Sequence, residues 1–232
     1  MKHAISILME VLAIGAVPVV LIACTISGVQ YTAVLSLLVV VASLGLFFAG
    51  YERRKPRLRD TMPVAVLAAL AAAGRILFAP IPSFKPVSAI CIIAGAVFGR
   101  RSGFMVGALA ALASNFFFGQ GAWTPWQMYA WGLVGYIAGI LGQTKAFDKL
   151  FVVLAYGFVS GYLFGLVMNV WSIVGFFHTE GLGQMLMIYA AALPFDTTHA
   201  LATVAFLAVL YAPWRRKLAR VKRKYALCQD DM

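Results

Sequence analysis

The chain has 232 residues, 62% of them hydrophobic and 12% charged, with a formal net charge of +11. Soluble domains carry about a quarter charged residues, so a soluble enzyme or a nucleic-acid-binding domain is excluded. Apolar runs of membrane length recur along the whole chain and mark an all-α integral membrane protein, and the positive charge gathers at the ends of those runs, where it reports topology and no nucleic-acid partner.

Eight spans are expected in chain order, at residues 4–27, 31–49, 61–79, 86–99, 103–118, 127–142, 150–176 and 184–212. The first run resembles a signal peptide only superficially, being too long, carrying Glu10 and running almost directly into the second. Glu10 is expected to snorkel towards the near surface. The first two spans are rich in leucine and valine, so residues 1–50 read as an added pair, joined by a basic linker at 51–60 to a six-span core at 61–212. A basic tail follows at 213–232.

Placing the N-terminus in the cytoplasm puts Lys2, the Arg53-Arg54-Lys55-Arg57-Arg59 cluster, Arg100-Arg101, Lys145, Lys149 and the basic residues from Arg215 to Lys224 inside. Seventeen of the nineteen basic residues then share one side, with Lys85 outside and Arg75 within a span. Both termini are therefore expected in the cytoplasm of a bacterial cell membrane. The outer connections are the turn at Gly28–Gln30, the Pro80–Pro86 segment, the Gly119–Trp126 turn and the His178–Gly183 loop.

The third span carries small residues at Ala65, Ala69, Ala72 and Ala73, with Ala68 alongside, and small residues four apart let another helix approach closely. Arg75, near the outer end of that span, either faces a polar cavity or snorkels to the headgroups. The segment from Gly103 to Gly142 gathers Asn115, three phenylalanines, Gln120, Trp123, Trp126, Gln127, Tyr129 and Trp131. Aromatic planes with amide groups between them suit a flat, polar-edged small molecule; the competing reading is an interfacial aromatic belt. Asn169 reads as helix glue or a ligand contact. Asp196 and His199 lie three apart just after Pro194, on one face of the last span. They serve as a ligand contact at a cavity floor, as a cap on the proline break, or as an acid/base pair. Neither HExxH nor GxSxG nor a phosphate-binding GxxxxGK[ST] pattern accompanies them. Cys24, Cys91 and Cys228 are too few and too dispersed for a disulfide framework or a metal cluster.

The order Gly74-Arg75, Pro80-Ile81-Pro82 with Lys85-Pro86, Gly95 to Gly99, Gly103 to Gly107, Ser114-Asn115, the Gly119–Trp131 block and Pro194-Phe195-Asp196 with His199 resembles the substrate-binding S components of energy-coupling factor vitamin transporters. The resemblance covers residues 61–212 and is most specific at Trp123-Thr124-Pro125-Trp126-Gln127; the pair at 4–49 departs from that family's six-helix plan. It implies capture of a vitamin or precursor at the outer face, the tryptophan-rich block being closest to the group taking cobalamin or its precursors. It further implies a transmembrane T subunit and two ATPase subunits as partners, with contact to the T subunit through Ala65, Ala69 and Ala73. Substrate would be held by Arg75, Asn115, Gln120, Trp123, Trp126, Gln127, Trp131, Asn169, Asp196 and His199. No catalysis, metal or resident cofactor is implied for this chain. Two alternatives stand beside it: a structural or assembly membrane protein, and a small integral membrane enzyme using Asp196 and His199.

Overall fold

The computed structural model describes residues 32–52, 57–174 and 181–227, with scattered helical positions between Leu8 and Val19. The Gly28–Gln30 turn, Arg53-Arg54-Lys55, His178, Thr179, Glu180, Cys24 and Cys228 lie outside the described residues. The described residues are helical, without strands. Helix α1 is Thr32–Glu52, α2 Leu58–Leu77, α3 Val87–Phe98, α4 Arg100–Phe118, α5 Thr124–Leu141, α6 Leu150–Ser172 and α7 Leu182–Lys224, with a 3₁₀ turn at Lys145–Asp148. Four of these, α2, α4, α6 and α7, are long and apolar enough to cross a membrane.

Helix α3 is the axis of the bundle. Every one of its residues except Ala96 is buried, because an element apolar all round must be enclosed by others. It packs against α2, α4, α5, α6 and α7. Only 12 residues long, it is bounded by Pro86 and by Gly99, whose φ of 96° turns the chain directly into α4. The expected span at 86–99 is thus an internal core helix, too short at about 18 Å to span a bilayer alone.

The closest packing joins α4 to α5, and glycines make it possible. A side chain at Gly135 would overlap the Gly103 carbonyl, and one at Gly107 would overlap the Trp131 carbonyl. Gly95 brings α3 against Gly135 in the same way. Three helices therefore meet backbone to backbone, as small residues allow in membrane proteins. This contact sets the height at which the end of α4 faces the start of α5.

The N-terminal segment is bonded to this core. Arg100 Nε donates to Glu10 Oε1 at 2.8 Å, and Arg101 donates to Glu10 Oε2 from Nη2 at 2.5 Å and from Nε at 2.9 Å. Glu10 and Arg101 are each 4% exposed. This corrects the expectation that Glu10 snorkels: it is the counter-ion that lets two arginines sit at the start of α4. Tyr129 Oη donates to the Ile14 carbonyl at 2.6 Å, and Phe47 of α1 stacks on Phe104 at 3.8 Å.

Helix α7 runs through Pro213 as far as Lys224, a continuous element of 43 residues. The expected span at 184–212 with a separate tail therefore understates it. An apolar stripe at Leu207, Tyr211, Trp214 and Leu218 continues past the proline and packs on the core, while Arg216, Lys217, Arg220, Arg223 and Lys224 are exposed.

Candidate functional site

Where α2 ends, α4 stops and α5 begins, the structure assembles a polar network from residues far apart in sequence. Arg75 Nη1 donates to Ser114 Oγ and to Asn115 Oδ1, both at 2.6 Å. Asn115 is fully buried and donates from Nδ2 to Thr124 Oγ1 at 3.0 Å and to Gln127 Oε1 at 2.8 Å. Thr124 Oγ1 donates to Gln120 Oε1 at 2.9 Å, and Gln120 Nε2 donates to the Leu112 carbonyl at 3.0 Å. Gln120 thus ties the turn to α4, and Asn115 uses both halves of its amide across α2 and α5.

Aromatic faces cover the guanidinium. Its carbon lies 4.5 Å from the Phe118 ring centre and 4.9 Å from that of Trp131. Such contacts stabilise a cation removed from water by about 2 kcal/mol or more. Of the five N–H donors of an arginine, those of Nη1 are engaged by Ser114 and Asn115, and among the described residues Nε and Nη2 carry no acceptor. Arg75 therefore sits among polar and aromatic side chains, held by Ser114 and Asn115 beneath Phe118 and Trp131. Beyond the end of α2, Lys85 Nζ donates to the carbonyls of Phe78, Ala79 and Ile81 and holds the turn that follows the helix. Desolvation, then the nearby Arg75 charge, lowers the Lys85 pKa.

A second strand of the network leads inward. Trp131 Nε1 donates to Ser88 Oγ at 3.2 Å, and Ser88 Oγ is 2.7 Å from His199 Nε2. Phe164 stacks on both Trp131 (4.7 Å) and His199 (4.8 Å). Trp131 is the hinge between Arg75 above and His199 below. Asp196 lies elsewhere: its Oδ2 accepts from Asn169 Nδ2 at 3.3 Å, against Gly165, where a side chain would overlap the carboxylate. Asp196 and His199 share a helix face but bond to different partners, and among the described residues they form no hydrogen-bonded pair.

The remaining tryptophans divide. Trp123 stands at the rim, 37% exposed, beside Gly121, where a side chain would strike its ring. Trp126 is fully buried against Trp171, ring centres 6.1 Å apart, and its Nε1 is the buried side-chain nitrogen left without a partner among the described residues. Ala65, Ala69 and Ala73 face out of the bundle, whereas Ala68, Ala71 and Ala72 face in.

Sequence reasoning missed Ser88 and Phe164, which carry the link from Trp131 to His199, and gave Thr124 no role. The available signal was a lone serine in the apolar run Val87–Phe98, opposite an indole and an imidazole that each need a partner when buried.

A helical membrane protein with a buried polar network at one end of its bundle is the class that fold and site define. Residues 55–225 match the family described as "Family of unknown function (DUF6580)", and the chain belongs to that family. A UPF0397 protein of Aliivibrio fischeri (strain MJ11) is 33% identical over a 121-residue alignment that covers 45% of this chain and 66% of that protein. The UPF0397 proteins of Aliivibrio fischeri (strain ATCC 700601 / ES114) and Aliivibrio salmonicida (strain LFI1238) align over the same 121 residues' length at 33% identity. The chain spans just under two thirds of the length of these curated relatives, at 66%. No solved structure matches.

Proposed function

We propose that this chain is the membrane-embedded capture subunit of an energy-coupling-factor importer, built as a six-helix core with an added N-terminal pair. It takes a vitamin or vitamin precursor, cobalamin or a precursor of it being the first candidate, at the outer face of a bacterial cell membrane. A T subunit and two ATPase subunits then supply the energy for delivery, and the outward-facing row of Ala65, Ala69 and Ala73 is the surface offered to the T subunit.

One observation carries the reading. Arg75, Asn115 and Gln127 converge from three helices at the turn between α4 and α5, with Phe118 and Trp131 over the guanidinium. An intramembrane arginine held by neutral oxygens and aromatic faces, with donors left over, suits the polar edge of a flat molecule. Trp131, Ser88 and His199 extend the same surface inward. The resemblance in residues 61–212 supplies the identity of the partners.

The test is native mass spectrometry of the chain gently extracted from its own membrane. A vitamin-sized adduct, lost in Asn115→Leu and retained in a variant of the exposed Phe151, is the expected result. A chain that carries no adduct and brings no ATPase subunits with it, but holds another polypeptide stoichiometrically, would replace this reading with that of an assembly protein.

A further inference from the structure

Helices α2 and α7 are both held on α3, and at the basic end of the bundle they leave an apolar slot of about 360 Å³ between them. Its walls are Met62, Pro63, Val66 and Leu67 from α2 and Leu218, Val221 and Tyr225 from α7, over Phe98 at the end of α3. Met62 and Val66 are 61% and 60% exposed. The slot is therefore open along its side, towards the bilayer.

The closed end is built. Helix α7 terminates with the Ala226 amide donating to the Arg223 carbonyl and the Leu227 amide to the Lys222 carbonyl at 3.0 Å. Ala226 takes a φ of 48° to make this reversal, a conformation usually left to glycine. The turn folds Leu227 back, 3% exposed, as part of the slot wall. Arg57 Nη2 donates to the Ala226 carbonyl at 3.5 Å, and Lys222 Nζ donates to the Val97 carbonyl at 2.8 Å. These bonds tie both helices to the floor.

Charge surrounds the mouth. Arg59 lines the slot itself, one turn before Met62 and Pro63. Lys217 and Lys224 stand four residues before and three after Val221, on the row of α7 that borders it. Lys224 Nζ lies 5.3 Å from the Tyr225 ring centre. Nearby carboxylates are spoken for, Asp60 by Arg57 and Asp148 by Arg215. Among the described residues Arg59, Lys217 and Lys224 have no acidic partner.

We infer that this slot holds an acyl chain of an anionic phospholipid, with Arg59, Lys217 and Lys224 on its phosphate. A side-open apolar slot takes hydrocarbon, and basic side chains at its membrane-surface end select a negative headgroup. The inference goes beyond substrate capture and does not depend on it: the site lies at the opposite end of α2 from Arg75.

The full-length chain, purified in a non-ionic detergent and stripped of lipid, is titrated with phosphatidylglycerol and separately with phosphatidylcholine of the same acyl chains. Bound lipid is counted by native mass spectrometry, with the melting temperature as a control for folding. Phosphatidylglycerol is expected to be retained at least tenfold better, and each of Arg59→Gln, Lys217→Gln and Lys224→Gln to cut that preference by about fivefold. Val221→Trp, which fills the slot, abolishes retention of both lipids, whereas the triple glutamine variant still holds phosphatidylcholine. Equal retention of the two lipids, or a preference untouched by the triple variant, overturns the inference. So does a co-purifying polypeptide that Val221→Trp removes while phosphatidylglycerol retention stays unchanged, which would assign the slot to a protein helix.

Discussion

Asn115 is the junction of the network, bonded to the side chains of three other residues. It accepts from Arg75 and donates to Thr124 and Gln127 while fully buried. Asn115→Leu keeps the volume but strands these partners, at about 1–3 kcal/mol for each group left unsatisfied. A lowered unfolding midpoint in detergent is the expected result, and Asn115→Asp should be milder because it still accepts from Arg75. Trp126 calls for a different substitution. It is buried from lipid and water alike, so Trp126→Ala removes core packing and costs about 3–5 kcal/mol. Trp126→Phe keeps most of the packing and deletes only the unpartnered Nε1–H. If that nitrogen meets the ligand, Trp126→Phe weakens adduct retention with little change in melting temperature. At this scale the sequence made the residue types legible: an amide after Ser114, an arginine in a span and a dense aromatic block were visible at once. Which amide meets which arginine was not, because Arg75 and Asn115 are separated by 40 positions and joined only by packing.

The elements depend on glycine contacts that bring α3, α4 and α5 together. Gly135→Ala puts a methyl into the Gly103 carbonyl, and helix separation is expected to cost about 1–3 kcal/mol. Gly45→Ala on α1 meets nothing within 4 Å and is expected to be neutral or slightly stabilising. Comparing the two melting temperatures separates tight packing from helix propensity. Element boundaries were legible where glycine or proline punctuates the chain, as at Pro86, Gly99 and Gly119. They failed in α7, where a hydropathy reading stops at the basic residues after Pro213. A helix with one apolar stripe and charge elsewhere continues regardless of its mean hydropathy.

For the molecule as a whole, the N-terminal segment is bonded to the core through a buried ion cluster. Breaking such a cluster from one side leaves uncompensated charge, at about 3–5 kcal/mol. Glu10→Gln takes the carboxylate away from Arg101, which is 4% exposed, and should lower stability by that order; Glu10→Gln with Arg101→Met should recover part of it. Removing residues 1–52 would uncover Arg101, Phe104 and Tyr129 together, so the shortened chain is expected to lose yield and thermal stability. An unchanged melting temperature in the shortened chain would show that the ion cluster contributes nothing to the core.

The sequence by itself determined that the protein is helical and resides in a membrane, because apolar runs of that length admit no other solution. It also showed where polarity concentrates, in Arg75, Asn115 and the Gly119–Trp131 block, although the lone Ser88 passed unnoticed in its apolar run. Tertiary structure alone decided the pairings. It turned Asp196 to Asn169 and His199 to Ser88, although two residues three positions apart on one helix face looked like a pair. It gave Glu10 to Arg100 and Arg101 across 90 residues, and it opened the slot between α2 and α7. The physical reason is the same each time: hydropathy is a property of each segment, whereas a partner is chosen by which helices touch.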